Sequence, residues 1–264
     1  MIKDPSIHSV SSLAHITVIL CRPEGQTNIG SVCRAMKTMG ITNLSIVDMQ
    51  TSADLNTIRT WSLSAFDIYE QAQHFTSLKD AIAEAHLVVA TSRRIGKNRK
   101  FFGLSAEEFA TQLPQYAQQK IALVFGNEKN GLNEEEMDLC HTLIHIPTSD
   151  LYPSLNLAQA VQIVTYELFK QSLQVNLIIH PFTAITAEET LNLSTTLTQH
   201  LDQFGFFAIS RENGYRHVQN FWQAIIGRAS LTPKEAQFLE KMIRQLTHMK
   251  VKESLSSVPH QDDI

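Results

Sequence analysis

What most constrains this chain is a rhythm. Five short apolar runs rich in branched residues lie at 15–21 (HITVILC), 44–48 (LSIVD), 87–90 (LVVA), 121–125 (IALVF) and 143–146 (LIHI). Near-continuous Val/Ile/Leu content, without an in–out alternation, predicts strands buried on both faces, as in a parallel sheet. Helical spacing fills the intervals 29–39, 78–85, 106–119 and 134–140. Strand then helix, repeated, means an α/β architecture. The clearest helix starts at Leu157, where Leu157, Ala160, Val161, Val164 and Leu168 fall on one face and Asn156 is placed to cap it.

Near Gln171 the rhythm stops. An apolar connector, 175–181, ends in Pro181, and three helical stretches follow at 187–204, 215–226 and 233–248. Pro233 after Thr232, with Glu235 in the first turn, is a good helix start. The expected organisation is a flexible N-terminus (1–12), an α/β domain (13–172), a linker (173–181), a helical C-terminal extension (182–250) and a disordered tail (251–264). No internal repeat interrupts this order.

The 264 residues, 43% of them hydrophobic, suffice for one large domain or a medium one with a small partner. Cys21, Cys33 and Cys140 are odd in number and lack CxxC spacing, which predicts reduced, buried thiols. The histidines form no metal-ligand pattern, so no metal is expected. The first residues lack the apolar core of a secretory signal, and no apolar run approaches the ~20 residues that span a bilayer. The expectation is a soluble, cytoplasmic protein with no membrane partner.

Four segments could carry chemistry. The loop from Cys21 to Arg34 follows a strand and enters a helix near Asn28, beyond a strand's carboxyl end, where open α/β sheets bind ligands. Gly30, Arg34 and Lys37 share a helical face there, so two cations could meet a phosphate. Arg22 in the same loop is a further candidate for RNA. The bland alternative is a surface helix with solvated charges. At 123–132 a buried strand runs into a glycine-containing turn, where Gly126 serves either a ligand's close approach or the turn itself. At 146–157 two prolines stiffen a long loop that could hold backbone groups against an adenine. At 93–100 five of eight residues are cationic, although the net charge of the whole chain is −4. Such a loop neutralises phosphates, the alternative being a solvated loop that aids solubility. Neither a dinucleotide GxGxxG nor a GxxxxGK[ST] phosphate loop occurs, which disfavours nicotinamide enzymes and nucleotide hydrolases.

Three of these segments together resemble the signature motifs of the SpoU/TrmH branch of the SPOUT RNA methyltransferases. The match runs from Asn28-Ile29-Gly30 to Arg34, then from Gly126 through Glu128 to Gly131-Leu132, then from Ile146-Pro147 to Ser154-Leu155-Asn156. The phrases RAMKTMG (34–40), LCH (139–141) and YEL (166–168) are similar to the TrmJ type, the tRNA 2′-O-methyltransferases acting on nucleotide 32 of the anticodon loop. Gly205-Phe206 and Arg228-Ala229 match the helical extension of that family, so the resemblance covers about residues 15–250. Asn127 stands where arginine is frequent, and Pro153, which has no N–H to donate, where serine is frequent.

The resemblance implies a trefoil-knotted parallel sheet flanked by helices, a small all-helical C-terminal extension, and a homodimer with each active site at the interface. It implies S-adenosylmethionine as cofactor, held by Thr91, Ser92, Arg93, Gly126, Ile146, Ser154, Leu155 and Asn156. Arg34 and Asn28 carry over as catalytic residues, and Arg94 as an RNA contact; Lys37, Lys97, Arg99 and Lys100 complete the expected tRNA contacts with Arg22. A guanidinium stays protonated, so Arg34 is expected to bind a phosphate and orient the 2′-hydroxyl and not to act as a base. The alternatives are another tRNA position, an rRNA nucleotide, or a catalytically silent RNA-binding module; intact Asn28, Arg34, Glu128 and Asn156 argue against the last.

Overall fold

A computed structural model describes residues 13–49, 53–93, 103–117, 119–173, 183–207 and 214–256. Among these, the strands are β1 (Ile16–Cys21), β2 (Asn43–Val47), β3 (Gln73–Phe75), β4 (Leu87–Thr91), β5 (Gly103–Ser105), β6 (Ile121–Phe125) and β7 (Thr142–His145). They form one parallel sheet in the order β3-β2-β1-β6-β4-β7-β5. The five apolar runs are strands to within one residue at each end. The edge strands β3 and β5 were not expected; each has three residues, none of them buried.

The central strands are buried on both faces because each face has its own helices. Val18 and Leu20, with Leu123 and Phe125, face the larger core. That side carries α1 (Gln26–Thr38), α5 (Ala106–Thr111) and α7 (Leu157–Ser172). Ile19 and Cys21, with Ala122 and Val124, face α4 (Leu78–Ile82) and α6 (Glu134–Asp138). Each such aliphatic side chain taken from water stabilises the fold by about 1.5–3 kcal/mol.

Several boundaries differ from expectation for identifiable reasons. α1 begins at Gln26, three residues early, so Asn28 lies in its first turn. The helix expected over 106–119 stops at Thr111 and gives way to a 3-10 turn, Leu113–Tyr116, because Pro114 lacks the N–H a helix interior needs. Two helices were not expected, α2 (Leu55–Ser62) and α3 (Phe66–Glu70); Asp54 caps the first, accepting from the amides of Asn56 and Thr57. Asn156 does cap α7, in a reciprocal box with Gln159. The three thiols are free and buried, and burial pushes the Cys33 thiol up to about 12.

The C-terminal extension docks on the second face of the sheet. Its helices are α8 (Ala187–Gln203), α9 (Gly214–Ala229) and α10 (Pro233–Ser256). They share a small core of Ile185, Leu193, Leu197, Ile226 and Ala236. Ala187 is part of the second-face core, and its amide donates to the Ala85 carbonyl. Asn220 donates to Asp138 at 2.8 Å, and Gly227 lies against the His141 ring. α10 runs to Ser256, into the stretch expected as tail. The N-terminus expected to be flexible (1–12), most of the expected linker and residues 257–264 lie outside the described residues.

Candidate active site

A cavity of about 240 Å³ opens where β4, β6 and β7 end. Its walls come from four places in the sequence. Thr91, Ser92 and Arg93 follow from β4; residues 125–132 follow from β6; Ile146, Thr148, Pro153, Ser154 and Leu155 come from the loop after β7; and Leu157, Ala160 and Val164 form an apolar floor on α7. Thr91 ties two strands together, donating to the Val124 carbonyl at 3.0 Å. Seven of the eight expected cofactor contacts line this cavity. The eighth, Asn156, does not. Its side chain accepts from the Ala158 amide as the α7 cap, and donates to Asn28 Oδ1 at 2.8 Å.

That second bond belongs to a network joining all three motifs. Asn28 donates to Glu128 Oε1 at 2.9 Å, and the backbone amides of Gly25 and Glu24 donate to the same carboxylate at 3.0 and 3.1 Å. Burial pushes the Glu128 carboxyl up. The donations from Asn28, Glu24 and Gly25 outweigh it, and the group stays ionised below the ordinary glutamate range. Charge-assisted bonds of this kind are about twice as strong as neutral ones. Asn28 thus holds the pocket wall together, a role the expectation of a catalytic residue did not contain.

The 126–132 loop folds back on itself. The Gly131 amide donates to the Asn127 carbonyl at 2.8 Å, with Gly131 at a φ of +70°. A Cβ on Gly126 would come within 2.2 Å of Gly131 C and Leu132 N. Of the two readings of Gly126, the turn requires glycine outright, and the cavity then uses the wall it makes. Asn127, 6% exposed, donates from Nδ2 to the Arg22 carbonyl at 2.8 Å and to Glu24 at 3.0 Å, while Oδ1 accepts from the Lys129 amide.

The cations divide into three groups. Arg22, a candidate for RNA, is turned inward onto Glu136, with Nε and Nη2 at 2.8 and 2.6 Å from its two carboxylate oxygens. Lys37 is bound to both oxygens of Asp67 at 2.8 Å. Arg34 is exposed and makes no hydrogen bond or ion pair among the described residues. It does not line the cavity of its own chain, because its face of α1 leans toward α2: a Cβ on Gly30, one turn earlier, would touch Trp61 at 2.7 Å. Arg94, Lys97, Arg99 and Lys100 lie outside the described residues. Among the described residues no helix is long and apolar enough to cross a membrane.

Fold and cavity define a parallel α/β protein with a cavity assembled from three separated loops beyond the carboxyl ends of its strands. The model of the SpoU rRNA methylase family matches residues 15–166, and the chain belongs to that family. A tRNA (cytidine/uridine-2′-O-)-methyltransferase TrmJ from Photorhabdus laumondii is 40% identical over 59% of this chain and 64% of that one, just under two thirds of the relative's length. The enzyme of the same description from Sodalis glossinidius is 32% identical, covering 89% of this chain and 92% of that one. Among solved structures, TrmJ from Z. mobilis superposes with a TM-score of 0.71 at 25% identity, over 87% of this chain and 98% of that one.

Proposed function

We propose that this chain transfers a methyl group from S-adenosylmethionine to a ribose 2′-hydroxyl of tRNA, at nucleotide 32 of the anticodon loop, acting in the cytoplasm as a homodimer. The observation that carries the reading is the convergence of the three motifs on one cavity, clasped at its rim by Asn28, Glu128 and Asn156. The chemistry of the lining fits the donor. Leu157, Ala160 and Val164 offer an apolar bed for a purine, and Arg93 and Glu128 set one cation and one anion on the wall, as a zwitterion requires. Thr91, Ser92, Gly126, Ile146, Ser154 and Leu155 would hold the donor, largely through backbone groups; Pro153 offers only its carbonyl. When bound, the donor supplies an electrophilic methyl on a sulfonium.

The chain's own task is then placement, which is worth several kcal/mol of barrier in well-oriented reactions. Arg34, exposed and unengaged, binds a phosphate beside the target ribose and orients its hydroxyl. Since Arg34 does not face the cavity of its own chain, it reaches the cavity of the partner subunit, in keeping with an active site at the dimer interface. The relatives named as tRNA (cytidine/uridine-2′-O-)-methyltransferases support the substrate.

The test is to map 2′-O-methyl groups in tRNA from cells with and without the gene, and in tRNA treated with purified protein and donor. The reading expects a methyl at nucleotide 32 that appears only when the protein is present. A methyl elsewhere in tRNA or in rRNA replaces the substrate and keeps the chemistry. RNA binding without donor binding or transfer leaves a silent RNA-binding module.

A further inference from the structure

Arg22 sits at the end of β1 in a left-handed conformation, φ 52°, which a bulky residue adopts only under constraint from its surroundings. The strand leads into it directly: the Arg22 amide donates to the Val47 carbonyl at 2.8 Å, continuing the ladder with β2 for one more bond. This backbone turn sends the guanidinium across to a segment more than 100 residues away. There Nε and Nη2 grip the two oxygens of Glu136, and Nη2 also donates to the Gly131 carbonyl at 3.2 Å. The side chains of the pair are 23% and 10% exposed, so little of this guanidinium remains for a ligand in solvent.

The contact is returned. Asn127, at the other end of the same loop, donates to the carbonyl of Arg22 itself. Arg22 therefore holds the far end of the 126–132 loop with its side chain, and the near end holds Arg22 by its backbone. Every residue of that loop lines the donor cavity. We infer that Arg22 is a positioning residue of the donor site, clasping the 126–132 loop into the cavity wall through Glu136 and Gly131, and that it does not contact RNA. The inference rests on the donor site proposed above.

Two measurements separate its failure from failure of that reading. In the donor-free protein, Arg22→Ala should raise amide exchange across 126–132 by about tenfold, the net effect of losing its bonds to Glu136 and Gly131. Calorimetric titration with S-adenosylmethionine should show donor affinity falling about tenfold in Arg22→Ala and in Glu136→Gln. Glutamine still completes the box with Asn133, so that variant removes the ion pair and spares the cap of α6. The double variant should be no weaker than either single one, because both remove one shared interaction. Arg22→Lys should recover part of the loss, keeping the charge without the fork. The salt dependence of RNA binding should keep its slope in all of them. Unchanged exchange and donor affinity in Arg22→Ala overturn the inference, as does a salt slope reduced by about one phosphate contact. If the wild type ignores the donor while the loop exchange still rises, the clasp stands and the donor site falls. Should Arg22→Ala fail to fold, Glu136→Gln carries the same comparison.

Discussion

Two regions of this chain are attached to the same sheet by different means. Beyond the carboxyl ends of the strands, the cavity wall is held by polar side chains that meet across long stretches of sequence: Asn28 with Glu128, Asn156 with Asn28, Arg22 with Glu136. On the second face, α8–α10 rest on a small apolar core and on Ala187 entering the core of the sheet, with polar bonds such as Asn220 to Asp138 at the margin. Apolar contact is non-directional and tolerates exchange at constant volume. A clasp of charge-assisted bonds tolerates almost no exchange, since a deleted partner leaves a half-buried charge unmet. The cavity therefore depends on residue identity, and the docked helices depend on residue size.

The largest expected effect breaks the comparison on the side of chemistry. Arg34→Ala should lower kcat by about 10²–10³-fold, the cost of removing one well-placed cationic donor, with donor affinity unchanged because the proposed partner of Arg34 is the RNA phosphate and not the methyl donor. Single-turnover rates beside a donor titration read both quantities. Next, Gly126→Ala drives a Cβ into backbone, which cannot yield as a side chain would. Donor affinity should fall at least about tenfold, with stability lower by roughly 1–3 kcal/mol. Its counterpart on the other face is Gly227→Ala, whose Cβ would lie 2.3 Å from the His141 ring. A chemical melt should show a loss of about 1–3 kcal/mol, while donor affinity stays within about twofold. A large loss of donor binding there would erase the distinction between the two regions.

The smallest effect sharpens the electrostatic half. The Glu128 carboxyl is held below its ordinary value, so its contribution to stability is fully present above the unfolded value of about 4.3. That contribution is lost as pH falls through the lower, folded value. Melting temperatures taken from about pH 6 downward should decline less steeply in Glu128→Gln than in the wild type.

The sequence disclosed the sheet because its central strands are buried twice over, and continuous apolar runs such as 121–125 have few other uses. β3 and β5 escaped because short edge strands need no such run. The helix over 106–119 was drawn through Pro114, although a missing N–H at that point should have ended it. For the site, Thr91, Gly126 and Ser154 came as what the family resemblance implies, and the cavity gathers them. Arg22 was legible only as a cation in the loop after β1. Its partner Glu136 is 114 positions away, and no local spacing reveals an ion pair closed by the fold. The floor residues Ala160 and Val164 lie on the stripe that also packs α7, so periodicity alone could not mark them as cavity.

The most direct test of the central claim is amide exchange measured with and without S-adenosylmethionine. The account predicts simultaneous protection of 91–93, 126–132 and 146–155, with α8–α10 unchanged. Protection confined to one of those segments, or appearing in the C-terminal helices instead, would contradict a single cavity built from three loops.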